Sequence, residues 1–403
     1  MRVRLPLLLL VVLAGACTPE PAPATPPREG AVKLTPALLE AFRDYVYAYY
    51  EVRLLADPGY VAKGRPEDDL DAARKNQERA QQNLARALGH NGDRASDVVP
   101  VLREAIVKKH EYALIDESED EKAISFALVR LVRSPEVKTI DLFGEKWSYE
   151  LSVFDDIVIK DYASYRAARL SAADADLYAR RIVIPLGKYV YFDLSAAARI
   201  GREKFFPNVA AYRERARLAM ESDAPFTATK GDAVRLLAVT KDVLRWRSLE
   251  SFWGKVQARP EEEQGRLFAE DYVEREEVRA ACEAYYLDRI RQKTTDRPVG
   301  KPLVELEEKT YLAAILLGEP LGQVATVAGL ASEWSQKRGS PDPVVDARLR
   351  AAATVTLALV KALAPAAPLA ANEDGDVRDC ARLARARPDE LTKAARAVLD
   401  QLN

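Results

Sequence analysis

Two histidines, His90 and His110, serve a chain of 403 residues. A zinc site built on two or more imidazoles would need both of them. His110, in Lys108-Lys109-His110-Glu111-Tyr112, has no second His four residues later, which is the spacing of a zincin helix. His90 sits in a glycine turn and reads as an exposed or capping residue. Ser-His-Asp chemistry is equally short of bases, and no Gly-x-Ser-x-Gly elbow occurs. Walker-type and dinucleotide-type glycine loops are missing. Neither sign of charge is in excess: 60 basic and 62 acidic side chains give a net charge of -2 and no electrostatic footprint for nucleic acid. The apolar run Leu5–Leu13 falls far short of the roughly 20 residues that a spanning helix needs.

What that run has is the right flanks. Arg2 and Arg4 precede it, small residues follow, and the segment reads as the core of a secretory signal over residues 1–16. An ordinary signal needs no cysteine after the cut, yet the sequence reads Leu13-Ala14-Gly15-Ala16-Cys17. This resembles the lipobox of bacterial lipoproteins, with Ala14 where Leu is commonest. The resemblance covers residues 1–17 and implies that Cys17 is lipidated, becomes the first residue of the mature chain and ties it to a membrane. Thr18, standing where an Asp would retain the protein in the inner membrane, points by the same likeness to the outer membrane, facing the periplasm. Several acyl chains anchor stably where one does not.

Residues 17–33 form the expected tether. Within it, Thr18–Gly30 holds Pro19, Pro21, Pro23, Pro26 and Pro27 with small or charged residues between them, which favours extended polyproline II with a reach of about 40 Å. Loss of Arg2 and Arg4 with the leader takes the net charge from -2 to -4. With 48% apolar and 30% charged residues, the remainder suits a globular body of two or three domains by length. An exported compartment permits a bridge between Cys282 and Cys380. However, Val278, Ala281, Cys282 and Tyr285 share a helical face, which favours a buried thiol.

The pattern predicts a mainly α multi-helix body. An N-terminal helical region, 34–134, begins with Thr35 as cap and Pro36 in the first turn. Phe42, Tyr45, Val46, Tyr49 and Val52 recur at helical spacing, with a stop at Asp57-Pro58-Gly59. Further helices are expected over Glu67–Leu88, after Ser96 and over Asp120–Val132. A mixed middle region, 135–225, carries minor short β elements over 135–192, at Val137–Phe143 before Gly144 and at Ile182–Phe192 around Pro185 and Gly187. Between them, Ser171 and Asp174 resemble a capping box. A C-terminal helical region, 226–403, holds helices over 234–256, 261–292, 303–317 and 324–336. Another is capped by Asp342, with Val345, Leu349, Ala352, Leu359 and Val360 buried, and two short helices close the chain. Residues 83–106 and 311–334 echo each other faintly.

Few residues suggest chemistry. Asn372–Asp376 looks like part of a calcium loop, but placing Gly375 at position six puts Ala370 and Ala381 where oxygen ligands belong. Glycosidic cleavage runs on carboxylates alone. Glu221-Ser222 is similar to the acid-bearing pair of lytic transglycosylases, although Ala233-Val234-Arg235-Leu236 stands where that family has Gly-Leu-Met-Gln. Glu117-Ser118 and Glu250-Ser251 repeat the pair. Arg378, Arg382 and Arg385 share a helical face that would meet an anionic ligand, or is simply a solvated ridge. The tyrosines from Tyr45 to Tyr50 would line a ligand groove or fill a core. No cofactor or metal is implied. The expectation is a non-enzymatic binding or scaffolding protein of the cell envelope, held to the membrane by its lipid and meeting an envelope protein partner, with no role on nucleic acid. The alternative is a carboxylate-dependent glycan hydrolase acting on peptidoglycan.

Overall fold

Helix α1, Pro36–Leu55, starts where the sequence proposes: the Leu38 N–H donates to Thr35 Oγ1 at 3.2 Å. The computed structural model describes residues 34–57, 69–89, 102, 105–106, 111–116, 126–170, 183–291, 300–337, 343–364 and 373–402. The expected signal and tether, both histidines, the expected Ser171 helix start and Asp342 cap, and most of the helix expected after Ser96 lie outside them. So does most of the first copy of the internal echo. The architecture is mainly α with one small mixed sheet.

Helix α2, Asp69–Ala87, packs on α1. The chain then forms β1, Tyr112–Asp116, β2, Phe126–Leu131, β3, Glu136–Leu142, and β4, Glu145–Ile159. Helix α3, Tyr162–Leu170, follows, and β5, Val183–Leu186, and β6, Tyr189–Asp193, complete the sheet. The strand order is β1-β2-β4-β6-β5, with β3 paired to the first half of β4. Only the β4–β6 pair is parallel. β3 and β4 are joined by Phe143-Gly144, with φ of 60° and 92°. Positive φ at both positions makes the tight turn whose twist matches the strands, and Gly144 donates its N–H to Asp141 Oδ1 at 2.7 Å.

The sheet corrects the sequence reading in two places. The helix expected over Asp120–Val132 is instead strand β2 over its described residues. Phe126, Ala127, Leu128 and Val129 are all buried, Phe126 and Leu128 in the core shared with α1 and Ala127 and Val129 in a cluster across the sheet. A strand buried on both faces is a continuous apolar run and shows no period. Accordingly, residues 34–134 are not helical throughout, and the β structure is neither confined to 135–192 nor uniformly short: β4 is 15 residues long.

After β6, helix α4, Leu194–Ile200, is capped by Asp193, whose Oδ1 accepts the Ala196 N–H at 2.9 Å. It runs through a π-turn, Gly201–Phe205, and a tight turn, Phe206–Asn208, into α5, Val209–Glu221. Gly201 is required there, because a Cβ would lie 2.7 Å from the Phe268 ring. The short α6, Ala224–Thr227, leads to α7, Ala233–Val256, and α8, Glu261–Arg291. The rest is α9, Lys301–Leu317, α10, Pro320–Lys337, α11, Pro343–Leu363, α12, Glu373–Arg385, and α13, Pro388–Leu402. Pro302, Pro320, Pro343 and Pro388 each stand in a first turn, where a missing N–H costs nothing.

Helix α8, about 46 Å long at 1.5 Å per residue, joins sheet and bundle. Val273, Ala280, Ala281, Cys282 and Ala284 pack on Trp147, Tyr149, Leu151 and Val153 of β4 and on Val190 and Phe192 of β6. Small side chains on the helix let it lie close to the aromatic strand face. The bundle core, from Leu244, Leu312, Val324, Val355, Leu359 and Leu391, draws on α7, α9, α10, α11 and α13. No helix among the described residues is long and apolar enough to cross a membrane.

Candidate functional site: a buried charge cluster and two clefts

On α8, Asp271, Arg275, Arg279 and Glu283 stand at four-residue spacing and so form one stripe along the helix. At its outer end, Arg275 donates to Asp271 at 2.6 Å and to the Ser248 carbonyl at 2.9 Å. Gln323 of α10 donates to the Arg275 carbonyl at 2.8 Å. Farther along, Arg279 bridges Glu276 at 2.6 Å and Glu283 at 3.2 Å. Arg348 of α11 closes the cluster, donating to Glu283 and, at 3.0 Å, to Glu307 Oε1 of α9.

Three carboxylates, Glu276, Glu283 and Glu307, thus share two guanidiniums. Glu276, Glu283 and Glu307 are 6%, 3% and 1% exposed, so desolvation decides their behaviour. Glu307 is the surplus acid. Its Oε2 is buried without a hydrogen-bond partner. Burial, and then the Glu283 charge, push its carboxyl up to about 7 against the opposing pull of Arg348. Arg348 is raised chiefly by Glu283, so that pair is the cluster's strong bond. Burial pushes the neighbouring Tyr311 hydroxyl well above its usual range, with the Glu307 charge adding to it. A protonated Glu307 makes the cluster neutral and lets α8, α9 and α11 close around it.

A cleft of about 80 Å³ opens at the outer end of the stripe, against the π-turn. Phe205, Leu249, Phe268 and Tyr272 form its apolar walls, and Asp271, Arg275 and Glu276 line it with their charges already paired. A second cleft, of about 380 Å³, lies between α1, α2 and α3. There the Tyr47 and Tyr165 rings stack with centroids 5.5 Å apart. The Tyr47 oxygen accepts the Lys160 N–H at 3.1 Å. Tyr165 donates to Glu51 and accepts from Arg169 at 3.1 Å, while Arg169 reaches Glu51 at 3.3 Å. Burial first, and then the Glu51 hydrogen bond, push the Tyr165 hydroxyl up to about 12. Asn76, Arg79 and Asn83 of α2 form the facing wall.

The residues singled out from sequence are scattered. The tyrosine cluster divides: Tyr45 and Tyr50 are core, with Tyr50 donating to the Phe126 carbonyl at 3.2 Å, whereas Tyr47 lines the larger cleft. Of the arginine ridge, Arg378 is exposed and Arg382 pairs with Asp379 at 3.1 Å. Arg385 pairs with Asp223 at 2.7 Å and donates to the Ala219 carbonyl at 2.5 Å. Arg382 is therefore paired within its own helix, and Arg385 fastens α12 to the end of α5. The bridge between Cys282 and Cys380 is not formed. Both thiols are free and sit in different core clusters, Cys282 on α8 against the sheet and Cys380 on α12 against the cluster that includes α7. Glu221 is exposed at the end of α5 and held at 2.9 Å by Arg217 of its own helix. Glu250 and Ser251 are exposed on α7. Among the described residues, no group of three or more His, Cys, Asp or Glu is placed to hold a metal ion.

Sequence reasoning missed the charge cluster. Its signal was present: Glu276, Arg279 and Glu283 are at ion-pair spacing on a helix whose neighbours Ala280, Ala281, Cys282 and Ala284 are all small or apolar. No family model, curated protein or solved structure matches the chain.

Proposed function

We propose that this chain is a lipid-anchored protein of the bacterial cell envelope whose helical body binds rather than cleaves. A lipid on Cys17 holds it to the membrane, with the outer membrane and the periplasmic face favoured by Thr18. The proline-rich tether sets the standoff, and the body meets another envelope component. One observation carries the preference for binding. In both clefts, acidic side chains are already paired with arginine or tyrosine: Asp271 with Arg275, Glu276 with Arg279, Glu51 with Tyr165 and Arg169, and Asp44 with Arg43 at 3.7 Å. Carboxylate-only cleavage needs a protonated acid facing an ionised partner across a substrate-sized gap. Among the described residues, the one carboxyl raised to about 7, Glu307, lines neither cleft and is bound to Arg348 in the core.

The experiment is cross-linking in intact envelopes, comparing the wild type with Cys17→Ser. The expected result is a discrete adduct with an envelope component that depends on Cys17. Absence of any adduct, or release of soluble fragments from purified peptidoglycan by the protein, would overturn the proposal.

A further inference from the structure

We infer that the cleft between α1, α2 and α3 is a binding site for a neutral, hydroxyl-rich glycan strand. The inference rests on reading the body as a binding module and names the ligand class. Charge is the first ground. Arg79 and Arg169 line the cleft together with Asp44 and Glu51, two charges of each sign, so neither a polyanion nor a polycation finds a net attraction there. What the walls offer instead is planar hydrogen-bonding groups in both senses. Asn76, Arg79 and Asn83 stand at helical i, i+3 and i+7 spacing, and all three are exposed on one face of α2; Asn83 Oδ1 already accepts from Arg86 at 2.5 Å, which leaves its NH2 to donate. Amides donate and accept, and guanidinium donates in a fork, which together match the vicinal hydroxyls and acetamido groups of a sugar.

Preorganisation is the second ground. Tyr47 is fixed by the Lys160 N–H at 3.1 Å, and Tyr165 by Glu51 and by Arg169 at 3.1 Å. The stacked pair therefore presents rigid aromatic edges at little further cost in side-chain freedom when a ligand arrives. The volume of about 380 Å³ lies within the roughly 300–1,000 Å³ usual for small-ligand sites. A lipid chain would need apolar walls, and an extended peptide would need a sheet edge or an apolar groove. Three helices lined with amide, guanidinium and carboxylate supply neither.

The test is calorimetric titration of the purified full-length protein in detergent with chitohexaose, a neutral β-1,4-linked hexamer of N-acetylglucosamine. The expected result is saturable one-to-one binding that is insensitive to added salt. Asn76→Ala combined with Arg79→Ala should weaken it at least tenfold. Both positions are exposed, so an unchanged circular dichroism melt will show that the fold survives. No binding, binding unaffected by the double variant, or binding that collapses with salt would overturn the site. These failures leave the wider reading intact, whereas shortening of the hexamer during the titration would overturn the non-catalytic reading itself.

Discussion

Replacing Glu307 by Gln should make the protein more stable at alkaline pH and leave it nearly unchanged at acid pH. The carboxyl rises from 4.5 to about 7 on folding. An acid raised in this way holds its proton more tightly in the folded chain. Between about 4.5 and about 7, the folded state therefore binds more protons than the unfolded one, and stability falls as pH rises through that window. The whole shift corresponds to about 3 kcal/mol. Gln keeps the shape and an acceptor for Arg348 but has no proton to lose. Urea unfolding at about pH 5 and about pH 8 reads the difference directly from the midpoints. Glu308 and Asp376 are also raised by burial, but they are common to both proteins and cancel in the comparison. The variant should keep most of its stability at the higher pH while the wild type loses up to about 3 kcal/mol more. An equal loss in both would refute the assignment of Glu307 as the surplus buried acid.

Other perturbations test the frame around the site. Asp193→Ala removes the acceptor for the Ala196 N–H and the Ser195 hydroxyl, and should cost about 1–2 kcal/mol in chemical denaturation. Gly201→Ala drives a methyl against the Phe268 ring at 2.7 Å and should cost about 1–3 kcal/mol, read as a lowered Tm. Burial pushes the Cys282 thiol up to about 12 and the Cys380 thiol up to about 11, so neither forms thiolate near neutral pH. In the Cys17→Ser form, an aromatic disulfide reagent should find no reactive thiol in the native protein and both after unfolding.

Much of the helical body was legible because its punctuation is chemical. Thr35 with Pro36, and Pro343, mark first turns, and the helices expected over 234–256 and 261–292 end within a residue or two of α7 and α8. The strands β5 and β6 were legible from the β-branched and aromatic residues around Pro185 and Gly187. β2 was not, since Phe126–Val129 is apolar on both sides and periodicity has nothing to report. Trp147, Tyr149, Leu151 and Val153 do alternate, but the strand's length depends on partners supplied by β2, β3 and β6, which are long-range. The candidate sites were less legible still. Glu307 and Arg348 lie 41 residues apart and meet only when α9 packs on α11. Tyr47 and Tyr165 are likewise brought together by tertiary packing, so the tyrosine-rich stretch alone did not show which ring faces the cleft.

The lipid on Cys17 is the premise on which the envelope reading stands, and one measurement reaches it directly. Cells expressing the wild type or Cys17→Ser are labelled with radioactive palmitate and fractionated. The account predicts label on the wild type alone, with that protein in the outer-membrane fraction and the serine form released from it. Equal labelling of both, or a wild type that remains unlabelled and free of membranes, would contradict it.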